Sequence, residues 1–346
     1  MQRSKMSKQV KDAAKNSQEQ SKTYDGNTEQ RVSTGSTLLD LAISGGRSRG
    51  GGIPGGIVME IFGQSSLGKT SLLCEIAGGV QRQGGEIKFK DPESRLSTEF
   101  AQLFGVELDE EDVGKPETPV DIFKPMRQWN PTPQDKIHGQ FVDSSAALIS
   151  DLEQQDKKDE YQRRAKLFSQ ELRKTCRYIE QNNWLICATN QVRQNVDGMG
   201  EKYSTPGGEA FNFYASLRLK LSKPSSGHKI MKTINYKNKE IEEQVGVVSQ
   251  VQVYKSSVWK SARTAQIYLI WDYGIDDVRA NLQWLKSRLG TSVYTVDGEK
   301  NVGQGLEKAI QTVEQEELEE ELRETVIDTW EDIENKFKSR RKSKKR

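Results

Sequence analysis

Residues 60–71, EIFGQSSLGKTS, constrain this chain more than any other stretch. Gly63, four spacers and Gly68-Lys69-Thr70 satisfy G-x-x-x-x-G-K-[ST] at each fixed position. Glycines let a backbone curl so that its N–H groups converge on phosphate oxygens, and a helix beginning at once adds the positive end of its dipole. A lysine in this place reaches the β- and γ-phosphates, and the following hydroxyl is a Mg²⁺ ligand. The pattern needs a buried strand before it and a helix after it. Residues 57–62 are apolar apart from Glu60, and residues 71–77 carry apolar groups at helical spacing. The expected nucleotide cradle is therefore Gly63, Gln64, Ser65, Ser66, Leu67, Gly68, Lys69, Thr70 and Ser71, with ATP and Mg²⁺ as its ligands.

The rest of the chain supplies enough material for a full core around such a loop. It has 346 residues, 34% of them hydrophobic. Its 29% charged residues nearly cancel to a net charge of +2, so any attraction to nucleic acid must come from local clusters. Cys74, Cys176 and Cys187 show neither metal-ligand spacing nor a paired framework. Each lies in an apolar pattern and reads as a small core residue in a reducing, cytoplasmic setting. Two histidines leave little basis for imidazole catalysis. No apolar run of about 18 residues and no signal-peptide core occurs, so no membrane partner is expected.

Read in order, residues 1–32 are expected to be a polar leader or oligomerisation segment, with either a short helix near 10–14 or no fixed structure. Residues 33–275 alternate strands with helices, which predicts an α/β core with a mostly parallel sheet and sites at the strand ends. The expected strands are 57–62, 86–91, 141–143, 184–190, 217–221 and 247–254. The expected helices include 38–43, capped by Ser36 or Thr37, and 98–104, 122–128 and 165–181. An acidic residue closing a strand, as Asp143 does, suits the Mg²⁺ side of a nucleotide site. Two Gly-rich segments, 45–56 and 193–208, read as loops, and Arg47 and Arg49 in the first are either solvated or in contact with a partner. Residues 276–335 form a small α+β domain, with a helix at 278–289, a hairpin turning at Asp297-Gly298, and one long acidic helical stretch at 307–337. Residues 336–346 make a basic tail, either a nucleic-acid arm or a solvated counterweight to the acidic helix.

Several segments then fall into a familiar sequence. Ser33-Thr34-Gly35-Ser36, GQSSLGKT, Asp91-Pro92-Glu93, Val142-Asp143-Ser144, Asn190-Gln191-Val192-Arg193, the stretch from Gly207-Gly208 to Ala215-Ser216, and Gly298 to Gly305 occur in this order. Across residues 33–310 the chain resembles the bacterial RecA recombinases, with diverged ends that suggest a phage, plasmid or otherwise distant member. The resemblance implies a RecA-like P-loop core, ATP hydrolysis dependent on single-stranded DNA, and helical filaments of the protein itself. It also implies pairing with homologous duplex DNA and strand exchange in recombination and repair. The alternative is a RecA-fold ATP-binding regulatory or helicase-like assembly protein that exchanges no strands.

The resemblance also distributes roles. Glu93 would polarise the attacking water, where hydrolysis needs a carboxylate. Asp143 would hold Mg²⁺ through water, beside the Thr70 hydroxyl, and Lys69 the phosphates. Gln191 would report the γ-phosphate to residues 193–208, or else simply close its strand with a hydrogen bond. Phe100 takes the adenine-stacking position, while its helix face equally fits core packing. Lys255 matches a lysine that reaches a neighbour's γ-phosphate; a second such lysine is replaced by Ser257, with Lys260 the nearby candidate to make up the charge. Lys166, Ser169 and Arg173, spaced i, i+3, i+7, share a helix face that fits either a DNA backbone or a surface charge stripe. Arg193, Gly207 and Gly208 are further DNA candidates, and Val196 and Met199 are candidate wedges between base steps. The basic tail stands where well-known members are acidic, so it is expected to assist DNA binding.

Overall fold

The computed structural model describes residues 30–145, 147, 158–194, 203–204, 210–339 and 341. At its centre lies β3 (Ile57–Gly63), whose burial is nearly complete along its length. It runs parallel to β10 (Leu217–Ser222) on one side and β7 (Leu185–Gln191) on the other. Beyond β7 the parallel ladder continues through β6 (Gly139–Val142), β4 (Ile87–Lys90) and β5 (Val113–Gly114). Beyond β10 the direction reverses. β12 (Lys239–Ser256), β13 (Thr264–Ile270) and β14 (Gly274–Ile275) add antiparallel strands, and β11 (Lys229–Tyr236) hairpins onto the start of β12.

Two apolar layers cover the sheet, as the two-residue period of a strand requires. Val58, Val142, Ile186 and Ala188 pack against α4 (Pro119–Met126), α5 (Lys158–Gln181) and α6 (Ala210–Tyr214). Their neighbours Met59, Ile61, Phe141 and Cys187 turn to the other layer, with α1 (Thr37–Ser44), α2 (Lys69–Arg82) and α7 (Asp277–Leu289). Between β4 and β5 the chain forms the short α3 (Thr98–Gln102). β1 (Arg31–Val32) pairs with β2 (Ile53–Pro54) beside α1. The segment after α7 forms a small hairpin, β15 (Tyr294–Thr295) with β16 (Asn301–Gly303), then α8 (Leu306–Gln315) and α9 (Glu319–Lys336). Val296, Val313, Leu322 and Val326 join the same apolar cluster as Leu39 and Leu41, so this segment and the main sheet share one core.

Four differences from the expected elements have physical causes. The single helical stretch at 307–337 is two helices, broken where Glu317 takes a left-handed φ of 54° and the Leu318 N–H bonds back to Val313 at 2.9 Å. The break lets both Val313 and Leu322 face inward, which one straight helix would not. The cap of α1 is not the side chain of Ser36. Asp277 accepts instead from the Thr37 N–H at 2.8 Å and the Thr37 hydroxyl at 2.7 Å, from 240 positions away. The strand at 247–254 is the inner half of a much longer β12, whose outer half pairs with β11 in a largely exposed hairpin. No burial period marks that hairpin in the sequence. β13 is a further strand beyond those expected, and it does alternate buried Ala265, Ile267 and Leu269 with less buried residues.

Candidate nucleotide site and nucleic-acid surfaces

The loop of residues 63–68 leaves the end of β3 and enters α2 at Lys69, so a 14-residue helix points its N-terminus at the loop. Gly68 sits in the left-handed region, φ 78°, and a Cβ there would stand 2.0 Å from Leu269 Cδ1. A side chain is thus excluded both by conformation and by space. Ser249, buried on β12, donates to the Leu67 carbonyl at 2.8 Å and ties the loop to the antiparallel half of the sheet. Gln64, Ser65 and Ser66 are exposed at the loop tip, and Ser71 is half-buried in the first turn of α2.

The polar groups expected to act with the loop do converge. The Thr70 hydroxyl donates to Asp143 Oδ2 at 2.7 Å. Thr189 on β7 donates to Asp143 Oδ1, so the carboxylate is oriented from two sides. The peptide between Asp143 and Ser144 is cis. Ser144 then donates to Glu93 Oε1 at 2.8 Å, and Arg95 pairs with Glu93 Oε2 at 2.7 Å. Lys69 donates to the Gln64 carbonyl at 2.8 Å. Burial pushes the Lys69 ammonium below its ordinary range, while the charges of Asp143 and Glu93 oppose that shift. Both carboxylates therefore act on the same lysine.

Gln191 closes β7 directly beside Gly63 and is exposed. Its N–H donates to Asn190 Oδ1 at 3.0 Å. Asn190 in turn donates to Glu60 Oε1 at 2.8 Å, and Arg218 on β10 bonds the other oxygen at 2.6 Å. Glu60 is fully buried in the middle of the sheet. Burial raises its pKa, against the pull of Arg218 and Asn190. Thr189, Ser249 and this trio are not among the residues expected to act at the site. For the trio a partial signal exists in the sequence: one acid inside an apolar strand needs a partner, and β10 offers two cations, Arg218 and Lys220, of which the register sets Arg218 beside Glu60.

Phe100 on α3 is half-buried, packed against the core and tilted onto Phe104 at 5.0 Å between centroids. Its packing role is therefore present in this fold. Lys255 lies at the other end of the sheet from the loop. It pairs with Arg218, three residues back along β10 from Leu221, which is the partner of Gly63. At about 3.3 Å per residue that is ~10 Å, more than its side chain spans to the loop of its own chain. Its Nζ donates to the Phe213 carbonyl at 3.3 Å, and burial followed by the Arg218 charge lowers its pKa. Ser257 is exposed two residues on. Lys260, the candidate to make up the charge, is bonded to Glu334 of α9, as is Arg263. Burial raises the Glu334 pKa, but these two cations outweigh it and hold the carboxyl below its ordinary value.

On α5, Lys166 and Arg173 are exposed and Ser169 is half-buried, while Phe168, Leu172 and Ile179 face the core. The three candidates thus do share an outer face. Arg193 belongs to β8 (Arg193–Gln194), which pairs with β9 (Tyr203–Ser204). Val196, Met199, Gly207 and Gly208 lie outside the described residues, as do most of the leader and of the basic tail. No helix among the described residues is long and apolar enough to cross a membrane.

The chain is similar in sequence to known proteins. A family model described as the RecA N-terminal domain matches residues 5–276. A protein named RecA from Thermus thermophilus is 34% identical over 308 residues, covering 86% of this chain and 84% of that protein. One from Delftia acidovorans is 32% identical over 302 residues, covering 81% and 73%. One from Acholeplasma laidlawii is 30% identical over 297 residues, covering 82% of each.

Proposed function

The chain belongs to the RecA family of recombinases, and we propose that it works as an ATP-hydrolysing filament on single-stranded DNA that pairs with homologous duplex and exchanges strands in recombination and repair. The observation that supports this best is the unbroken line of contacts from Thr70 through Asp143 and Ser144 to Glu93, drawn around Lys69. Each member of that line has a part in phosphoryl transfer to water. Lys69 and the N–H groups of the loop hold the phosphates. Thr70 and Asp143 are hard oxygen donors of the kind Mg²⁺ takes, usually one or two from protein with phosphate and water completing the shell. When bound, Mg²⁺ neutralises charge on the β- and γ-oxygens. Glu93, held on both oxygens by Ser144 and Arg95, orients and deprotonates the attacking water. Phe100 offers a ring edge to the base.

Gln191 couples this site to DNA in the proposal. It touches the level of Gly63 and opens the segment 193–208, so loss of the γ-phosphate changes the stability of the DNA-contacting state. Backbone contacts from Lys166, Ser169, Arg173, Arg193, Gly207 and Gly208, with Val196 and Met199 wedged between bases, would give little sequence preference. Lys255, out of reach of its own loop, serves the nucleotide of the next subunit, as head-to-tail assembly requires. The protein then acts in the cytoplasm, on DNA and on copies of itself.

Two measurements test this. ATP hydrolysis is expected to rise strongly when single-stranded DNA is added, and a circular single strand is expected to displace its match from a linear duplex. Hydrolysis indifferent to DNA, with no exchange, would return the reading to an ATP-binding assembly protein on the same fold.

A further inference from the structure

The Gly-rich segment 45–56 carries two arginines with different fates. Arg49 is committed: it bonds Asp328 at 2.9 Å, Glu331 at 3.4 Å and also Glu324, all on α9. Arg47 is exposed and makes no ion pair with the described residues. It lines a cavity of about 420 Å³ together with Arg31, Tyr214, Ser216 and Ser257, beside the start of β3 and the last turns of α5. Arg31 is the more telling of the pair. Its Nε and Nη1 are shielded from solvent and have no hydrogen-bond partner among the described residues. Its guanidinium is pushed below its ordinary range by burial and then by the charge of Arg47. Glu180 is the one carboxylate among the described lining residues, and it is exposed and bonds neither arginine.

Two like charges lining one cavity, one of them with buried unpaired donors, are costly, and an anion bound there would relieve both the repulsion and the unpaired donors. Guanidinium forks match phosphate oxygens in pairs, and the hydroxyls on the wall add neutral donors. The volume suits a small molecule, and β3 and α5 contribute an apolar side. We propose that the cavity between Arg31 and Arg47 is a second phosphate-binding site, distinct from the loop at 63–70 and at the other end of the central sheet. The phosphate is that of a free nucleotide or polyphosphate. The site itself does not depend on the recombinase reading.

The test is calorimetric titration of the full chain with inorganic pyrophosphate, in a Lys69→Ala background that disables the loop. Residual binding is expected there, weakened about tenfold or more by a further Arg47→Ala or Arg31→Gln change. Arg31→Lys should fall between, because it keeps the charge and loses the fork. Arg47 is exposed, so a thermal melt should show Arg47→Ala folding like its parent. Binding to dilute monomers, as judged by light scattering, should match binding to assembled chains, because both arginines belong to one subunit. No residual binding in either form, or residual binding unchanged by both arginine variants, overturns the proposal.

Discussion

The two ends of the central sheet are opposite in character. Where β3, β6 and β7 finish, acids and hydroxyls close around one lysine: Asp143, Glu93, Thr70, Thr189 and Ser144 about Lys69. Where β3 and β10 begin and β12 finishes, cations gather instead, with Arg31 and Arg47 at a cavity and Lys255 nearby. The first end can hold a polyphosphate and its metal but offers few cations beyond Lys69. The second has cations and no reaction chemistry of its own. Such a contrast between ends suits stacking of one end on the other, a heterologous contact, which closes into a ring or propagates into a helix according to its rotation. The buried Glu60–Arg218 pair stands between the ends and links their strands.

The strongest way to break this contrast is at the acidic end. Glu93→Gln should lower the DNA-stimulated rate of phosphate release by ~10²–10⁴-fold while ATP binding persists. Lys69→Ala should lose both. An unchanged rate in Glu93→Gln would remove the catalytic assignment. Next comes the cationic end. Lys255→Ala should lower turnover by ~10–10²-fold, because no charge then meets the transferring phosphate from the neighbour. Mixing Lys255→Ala chains with Glu93→Gln chains sharpens the point. Random stacking restores an intact site at about one interface in four, so the mixture should outperform either variant alone. A mixture no better than its components would show that Lys255 serves its own subunit.

A smaller effect is expected from the tail. Removing residues 338–346, which leaves α9 whole, should weaken binding to single-stranded DNA and flatten its salt dependence by ~0.7 for each phosphate no longer neutralised. An unchanged slope would mean that the tail touches no phosphates. The smallest effect is a control on both ends. Asp40 is buried in α1, accepting from Ser33 at 2.6 Å and from the Thr34 N–H at 2.8 Å. Burial pushes its pKa up from 3.8 to about 7, outweighing those bonds. Between these values the folded chain keeps a proton that the unfolded chain releases, so the contribution of Asp40 to stability is fully present below 3.8 and is lost as pH rises through about 7. Melting temperature measured from pH 4 to 8 should show that decline in the wild type. Asp40→Asn should remove its share without altering ATP turnover.

Much of the acidic end is legible directly. Its groups sit in short segments with fixed internal spacing: a loop between strand and helix, an acid closing a strand, an amide closing the next. Parallel strands in one sheet bring such ends together, so naming the segments nearly names the site. Thr189 escapes such a reading because a threonine inside a buried strand has no distinguishing spacing, although it orients Asp143. The hairpin of β11 and β12 escapes it because it is largely exposed, and burial is what stamps a period on a strand.

What the sequence determined by itself was therefore local: the phosphate loop, its flanking strand and helix, the order of the strand-end acids, and through them the family. What only the tertiary structure decided was pairing between residues with no fixed separation. It chose Asp277 rather than Ser36 to cap α1, gave Arg49 and Lys260 to α9, and brought Arg47 and Arg31 to the lining of one cavity. Charge and hydrogen bonding act through space at a few ångströms, and the chain separation of two groups says nothing about that distance until the core has packed.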